Sequence, residues 1–197
     1  GVGVLYGKKE LLEEMPPYMG GGEMIKDVTF EHTTYNELPY KFEAGTPNIA
    51  DTVAFKAALD FVNEVGKENI RAHEEMLTKY AMEKLSKIDG VRLIGTAKHK
   101  TSVVSFIVEG VHPQDIGILL DNYGIAVRTG HHCCQPLMNR FEIPGTLRAS
   151  FAMYNTKEEV DELVKGVEKA IEMLKGSPIK GSKAFEIDSR IEDKLKS

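Results

Sequence analysis

The chain has 197 residues, 42% of them hydrophobic, and carries a formal net charge of -5 at pH 7. This length fits one domain or slightly more, and an acidic balance without a cluster of lysine and arginine argues against nucleic acid and anionic membranes as partners. No apolar run approaches the length of a membrane span, and no signal peptide is visible. The chain has only two cysteines. These three observations together predict a cytoplasmic, reducing compartment.

The first third of the chain predicts two strands and a long helix. Residues 1–7 are apolar and predict a buried strand. Because this strand has no polar lead-in, we expect the chain to be a fragment of a longer protein. Residues 27–32 alternate at period two and predict a second strand. A helix is predicted to follow the loop 45–48 and to end at Gly66. Its expected inner face contains Val53, Ala54, Ala57, Phe61, Val62 and Val65.

The rest of the chain predicts a small sheet covered by helices, an α/β or α+β arrangement. Short strands are expected at 90–95, 102–108, 125–128 and 146–152. One amphipathic helix covers residues 68–88, a second begins at Pro113, and a third begins after the capping box Thr156–Glu159 and ends at Gly176. The polar segment 177–197 predicts a mobile tail, with a short helix that docks on a partner as the alternative.

The segment from Arg128 to Met138 contains both cysteines and two of the six histidines of the chain. Glycine and proline predict a loop here, and cationic neighbours favour the thiolate, which is the nucleophilic form of cysteine. Adjacent residues cannot easily share one tetrahedral zinc ion, so we expect no metal. A disulfide between neighbouring cysteines would close a strained ring. The pattern therefore favours a nucleophilic thiolate.

Two further patterns leave alternatives open. Arg128 and Arg148 lie in or beside short apolar strands, where an arginine needs a partner because a lone buried charge is costly. That partner is either an acidic residue of the chain or the carboxylate of a substrate. The loop 45–48 precedes a helix, so it is either an anion site or simply the place where Asn48 caps the helix. The cap is the simpler interpretation.

Five segments, in order along the chain, resemble the SufS-type (group II) cysteine desulfurases of the class V aminotransferase family. These segments are 1–7, 20–25, 42–48, 123–133 and 147–156. The resemblance implies the C-terminal part of a fold-type I transferase that uses pyridoxal 5'-phosphate. It also implies that residues 1–48 end the large cofactor-binding domain, with a loop that crosses the dimer, and that residues 49–176 form the small C-terminal domain.

The resemblance also implies a reaction and roles for individual residues. Cys133 matches the nucleophile that takes sulfur from L-cysteine as a persulfide, which releases L-alanine and supplies iron-sulfur cluster assembly. Arg148 matches the residue that binds the substrate carboxylate, and Arg128 lies near it. Gly45 and Thr46 match the segment that reaches the cofactor phosphate of the other subunit, which implies a homodimer. His132 is a possible modulator of the thiol.

The chain departs from this family at three places. Cys134 stands where a small residue is usual, and packing is its simplest role, with resolution of the persulfide, as a possible modulator of the site, as the alternative. Gln114 stands where some members have a histidine that engages a zinc-containing acceptor, which favours a SufE-like thiol acceptor. The family's Schiff-base lysine lies in a Ser-x-His-Lys motif before the segment 1–7, and neither Lys8 nor Lys9 matches it, so we expect this chain alone to be inactive.

Two other functions remain open. The first is that of a selenocysteine lyase or another class V enzyme dependent on pyridoxal phosphate. The second is that of a non-catalytic fragment that presents a thiol to a partner.

Overall fold

The computed structural model describes residues 1–176, so the predicted tail 177–197 lies outside the described residues. The chain divides into two compact units, Gly1–Gly66 and a second unit that begins at Lys67. The sequence predicts the domain boundary of a whole enzyme between residues 48 and 49, and that division stays a prediction. Within residues 1–176, no helix is both long enough and apolar enough to span a membrane.

The first unit contains a small antiparallel hairpin and one long helix. Its elements are helix α1 (Lys9–Glu14), strands β1 (Ile25–Val28) and β2 (Thr33–Tyr35), a 3-10 turn (Tyr40–Phe42) and helix α2 (Ile49–Val65). The Asn48 side chain accepts a hydrogen bond from the backbone N–H of Asp51 at 3.2 Å and so caps α2. Gly66 ends the helix with a φ of 89°. Both ends of this helix confirm the prediction.

Three expectations for the first unit are wrong. Residues 1–7 form no strand and are mostly exposed, because a strand needs a neighbour for its N–H and C=O groups and none of the described strands pairs with them. The strand predicted at 27–32 ends at Val28, where the chain turns into β2. The expected inner face of α2 is mostly exposed, with Val53 at 70% and Phe61 at 53%, and only Val62 and Val65 are half-buried. Among the described residues of this unit, only Met24 is buried.

The second unit is a four-stranded antiparallel sheet packed against helices. Its elements are α3 (Lys67–Leu85), β3 (Val91–Ile94), β4 (Val103–Val108), α4 (Pro113–Asn122), β5 (Arg128–Gly130), α5 (Gln135–Phe141), β6 (Thr146–Ser150) and α6 (Lys157–Gly176). The strand order is β3-β4-β6-β5. The predicted capping box is confirmed, since the backbone N–H of Glu159 binds the Thr156 hydroxyl and the backbone N–H of Thr156 binds the Glu159 carboxylate.

One face of the sheet forms the core with the helices. In the register, Val104 pairs with Ala149 and Phe106 with Leu147, and all four side chains are buried. The helices contribute the buried residues Leu77, Ala81, Leu85, Ile116, Leu120, Val160, Leu163, Val167 and Ala170. Burying one such large aliphatic or aromatic side chain contributes about 1.5–3 kcal/mol. Since side chains alternate along a strand, Thr146 and Arg148 lie on the opposite face of β6.

The expected fold class, a small sheet covered by helices in a mixed α/β protein, is confirmed. The strand predicted at 125–128 is misplaced, because β5 begins only at Arg128. Before it, Gly124 has a φ of 76° and the backbone N–H of Ile125 binds the Leu120 carbonyl at 2.9 Å, so these residues close the end of α4. Helix α5 was not predicted, although Pro136 lies in its first turn, where proline is favourable.

Candidate functional site

Residues 131–134, which we call the cysteine loop, connect β5 to α5. Backbone and side-chain contacts fix the position of β5. The Thr129 hydroxyl donates to the Gln114 side-chain oxygen at 2.8 Å. A Cβ added at Gly117 would lie 2.4 Å from the Thr129 Cγ2 atom, and one added at Gly145 would lie 2.8 Å from the backbone carbonyl of Gly130. Glycine at these two positions therefore allows α4 and the segment before β6 to approach β5 closely.

We expect Gly145→Ala to destabilise the protein by about 1–3 kcal/mol, because the new methyl group meets backbone that must shift. Urea unfolding measures this loss. The same shift moves the start of the cysteine loop, so the rate of Cys133 alkylation should change as well. Gly20→Ala is the matched control, since a Cβ there meets open space. Equal stabilities of the two variants would contradict the close approach.

The loop itself has an unusual backbone. His132 and Cys133 both have left-handed conformations, with φ of 54° and 57°, which cost about 1–2 kcal/mol per non-glycine residue. The backbone N–H of Cys133 donates to the His131 Nδ1 atom at 3.2 Å, and the backbone N–H of Cys134 donates to the His131 carbonyl at 2.9 Å. These bonds hold the turn, and both thiols are free and exposed. Packing, the simplest role expected for Cys134, does not agree with its exposure.

His132 is attached to β6. Its Nε2 atom lies 2.8 Å from the Thr146 hydroxyl and 3.2 Å from the Thr146 carbonyl oxygen, and Thr146 is only 1% exposed. Burial lowers the pKa of His132, and the positive charge of Arg148 lowers it further, while the bond to the Thr146 carbonyl opposes both effects. The environment therefore favours the neutral imidazole.

This lowered pKa predicts a pH dependence of stability. The unfolded chain binds a proton at His132 near the ordinary pKa of 6.5, whereas the folded chain resists protonation. The free energy of unfolding should thus fall as the pH falls below 6.5 and level off below the lowered pKa. Urea unfolding between about pH 5 and pH 8 measures the slope. His132→Gln should reduce it, and a slope equal to that of the original chain would contradict the prediction.

Arg128 and Arg148 lie directly opposite each other across β5 and β6. Among the described residues, the one arginine with an acidic partner within 4.0 Å is Arg71, which pairs with Glu68. The structural ion pair considered from the sequence is thus not formed within residues 1–176. The Arg148 Nε atom and the His132 Nδ1 atom are both buried without a hydrogen-bond partner. Two facing cations and an unpaired donor suit an anionic ligand such as a carboxylate.

The other predicted site residues, Gly45 and Thr46, belong to the first unit. Gly45 has a φ of 79°, and its N–H donates to the Gly22 carbonyl at 2.8 Å. Thr46 is exposed, and its hydroxyl has no hydrogen-bond partner among the described residues. The Thr46 hydroxyl is therefore free to donate to an anion, whereas the Gly45 N–H is already used within the loop.

The structure thus brings Cys133, Arg128, Arg148 and His132 together in one unit, and it adds a residue that was not predicted. Thr146 binds His132, but an isolated threonine in a strand gives no distinctive signal in a sequence. Its position two residues before Arg148 was the available clue, because residues at i and i+2 share one face of a strand.

Residues 1–163 match the family model for class V aminotransferases. The chain belongs to this family. It is 49% identical over 170 residues to a probable cysteine desulfurase of Streptomyces coelicolor, covering 85% of this chain and 41% of that protein. It is 45% identical over 175 residues to a cysteine desulfurase of Haloferax volcanii, covering 88% and 41%.

Solved class V structures confirm the fold. The cysteine desulfurase CsdA of Escherichia coli superimposes with a TM-score of 0.79 at 42% identity, over 85% of this chain and 42% of that one. The cysteine desulfurase of Thermococcus onnurineus gives a TM-score of 0.79 at 37% identity, over 87% and 42%. The chain therefore spans less than half the length of the curated relatives and solved chains that it matches.

Proposed function

We propose that this chain is the C-terminal part of a SufS-type cysteine desulfurase that takes sulfur from L-cysteine as a persulfide and releases L-alanine. The observation that carries the proposal is the pairing of an exposed thiol with unpaired cations. Cys133 lies on the loop that follows β5, and Arg128 and Arg148 face each other across β5 and β6 without an acidic partner among the described residues. The relatives named cysteine desulfurase support the same reaction.

In this proposal Arg148, assisted by Arg128, binds the substrate carboxylate through charge-assisted hydrogen bonds. The Cys133 thiolate attacks the sulfur of L-cysteine, so that a sulfur–sulfur bond forms while the carbon–sulfur bond of the substrate breaks. Pyridoxal phosphate, when bound, supplies the electron sink for the pair left on the substrate carbon. That carbon then takes up a proton and leaves as L-alanine, and the transferred sulfur stays on Cys133.

Residues of the first unit serve the cofactor in the same proposal. The Thr46 hydroxyl binds the phosphate of pyridoxal phosphate, and the left-handed Gly45 gives the loop its shape. By the family pattern, this phosphate belongs to the other subunit of a homodimer. The proposal requires a Schiff-base lysine, and no lysine of this chain lies in a Ser-x-His-Lys motif.

We propose that the sulfur is transferred from Cys133 to a second protein, a SufE-like thiol acceptor that supplies iron-sulfur cluster assembly. Cys133 is exposed, as attack by an external thiol requires. Gln114, at the position where some members have a zinc-engaging histidine, is hydrogen-bonded to Thr129 and has no imidazole to offer a metal. Free exposed thiols fit a reducing compartment, so we place the protein in the cytoplasm.

The test is to incubate the complete protein, loaded with pyridoxal phosphate, with L-cysteine and no acceptor. We expect alanine to form and the peptide containing Cys133 to gain the mass of one sulfur atom. The 197-residue chain by itself, incubated with cofactor and L-cysteine, should produce neither alanine nor the mass gain on Cys133. Sulfur on another residue, or pyruvate in place of alanine, would overturn the proposal.

A further inference from the structure

Two unpaired polar atoms lie on the same face of the sheet. Thr146 and Arg148 are two residues apart in β6, so their side chains leave the strand on the same side. The His132 imidazole is bonded to Thr146 and therefore lies on that side as well. The buried His132 Nδ1 and Arg148 Nε atoms both lack a partner among the described residues. A buried polar atom without a hydrogen-bond partner is destabilising, which points to a ligand for both.

The bonds of His132 define which nitrogen carries its proton. The Thr146 carbonyl oxygen can only accept a hydrogen bond. The His132 Nε2 atom lies 3.2 Å from that oxygen and 2.8 Å from the Thr146 hydroxyl, and the tautomer that satisfies both contacts is the one with the proton on Nε2, since a lone pair there would face the carbonyl lone pairs. In a neutral imidazole only one nitrogen carries hydrogen, so Nδ1 offers a lone pair. The two unpaired atoms are thus one hydrogen-bond acceptor, His132 Nδ1, and one donor, Arg148 Nε.

We propose that Thr146 is a positioning residue that fixes His132 with its proton on Nε2, so that Nδ1 accepts a hydrogen bond from the thiol of a substrate whose carboxylate is bound by Arg148. The identity of this substrate, a thiol-bearing carboxylic acid, rests on the function proposed above. The protonation of His132 does not, because it follows from the contacts of Thr146 alone.

This arrangement gives His132 a defined part in the reaction. The substrate thiol carries one hydrogen, and a neutral acceptor at Nδ1 orients that hydrogen away from the attacking Cys133 thiolate. The sulfur lone pairs and the carbon–sulfur bond are then presented to the nucleophile. The positive charge of Arg148 disfavours protonation at Nδ1 and keeps the acceptor available.

The first experiment is nitrogen-15 NMR of the histidine side chains in the 197-residue chain, with Thr146→Val and Thr146→Ser. We expect His132 to carry its proton on Nε2 in the original chain and in Thr146→Ser, which keeps the hydroxyl. Thr146→Val is isosteric but removes the hydroxyl oxygen, the nearer of the two acceptors at 2.8 Å, and leaves only the carbonyl oxygen at 3.2 Å, so a measurable fraction with the proton on Nδ1 should appear. Identical spectra for the valine and serine variants would overturn the role of Thr146.

The second experiment adds three small acids in turn: 3-mercaptopropionate, propionate and L-alanine. All three have a carboxylate, and only the first has a thiol. We expect 3-mercaptopropionate to shift the Nδ1 resonance of His132, the other two to leave it unchanged, and Arg148→Met to abolish the shift. An equal response to all three acids, or none, would overturn the thiol assignment. Neither experiment depends on turnover, so failure here is distinguishable from failure of the desulfurase proposal.

Discussion

Cys133→Ser in the complete protein is expected to reduce cysteine-dependent alanine release by about 10³-fold or more, because on the function proposed above it removes the group that forms the covalent intermediate. A serine hydroxyl at this position is a far weaker nucleophile than a thiolate. The binding of L-cysteine should be nearly unchanged, since the variant keeps Arg148, the proposed partner of the substrate carboxylate. Rates of alanine release at saturating L-cysteine measure the effect.

Cys134→Ser is the matched control for this experiment. It removes the neighbouring thiol, which is equally free and exposed but lies one residue further along the loop, at the N-cap position of α5. We expect this variant to lose much less activity than Cys133→Ser. If the two variants lost activity equally, or if Cys134→Ser lost more, the assignment of Cys133 as the nucleophile would be wrong.

Arg148→Met is expected to have opposite effects on binding and on stability. The KM for L-cysteine should rise about 100-fold, since a charge-assisted hydrogen bond contributes up to about 3 kcal/mol. The free energy of unfolding should rise by about 1 kcal/mol, because the variant removes an unpaired buried donor and a cation directly opposite Arg128. Steady-state kinetics of the complete protein and urea unfolding of this chain measure the two effects.

Arg148→Lys separates charge from geometry. Lysine keeps the positive charge but cannot form two parallel hydrogen bonds to a carboxylate, so KM should still rise, while the gain in stability should be smaller than in the methionine variant. A methionine variant that was both less stable and normal in KM would indicate that Arg148 has a structural role and does not bind the substrate.

The sequence predicted the second unit well because its signals are local and repeated. The helical spacing of Val160, Leu163 and Val167, together with the capping box at Thr156, indicates α6 without knowledge of the rest of the fold. The failures lie where a non-local partner decides the structure. Residues 1–7 have the composition of a buried strand, but their backbone finds no strand to pair with among the described residues.

The candidate site divides in the same way. Cys133 was recognisable from its cationic neighbours and from the family resemblance, and Arg148 from its place in an apolar strand. Two features depended on three-dimensional contacts. One is the pairing of Arg128 with Arg148, which the register between β5 and β6 decides. The other is the bond from His132 to Thr146, which spans 14 residues of sequence.

The shortness of the cysteine loop limits how far a bound sulfur atom can travel. Only residues 131–134 separate the end of β5 from the start of α5, and four fully extended residues reach about 14 Å. His132 is hydrogen-bonded to Thr146, which pairs with Gly130 at the end of β5, and this bond shortens the reach of the loop further. On the proposed function, the sulfur is therefore delivered at the edge of the sheet, and it is the acceptor protein that must bring its own thiol to within a few ångströms of β5.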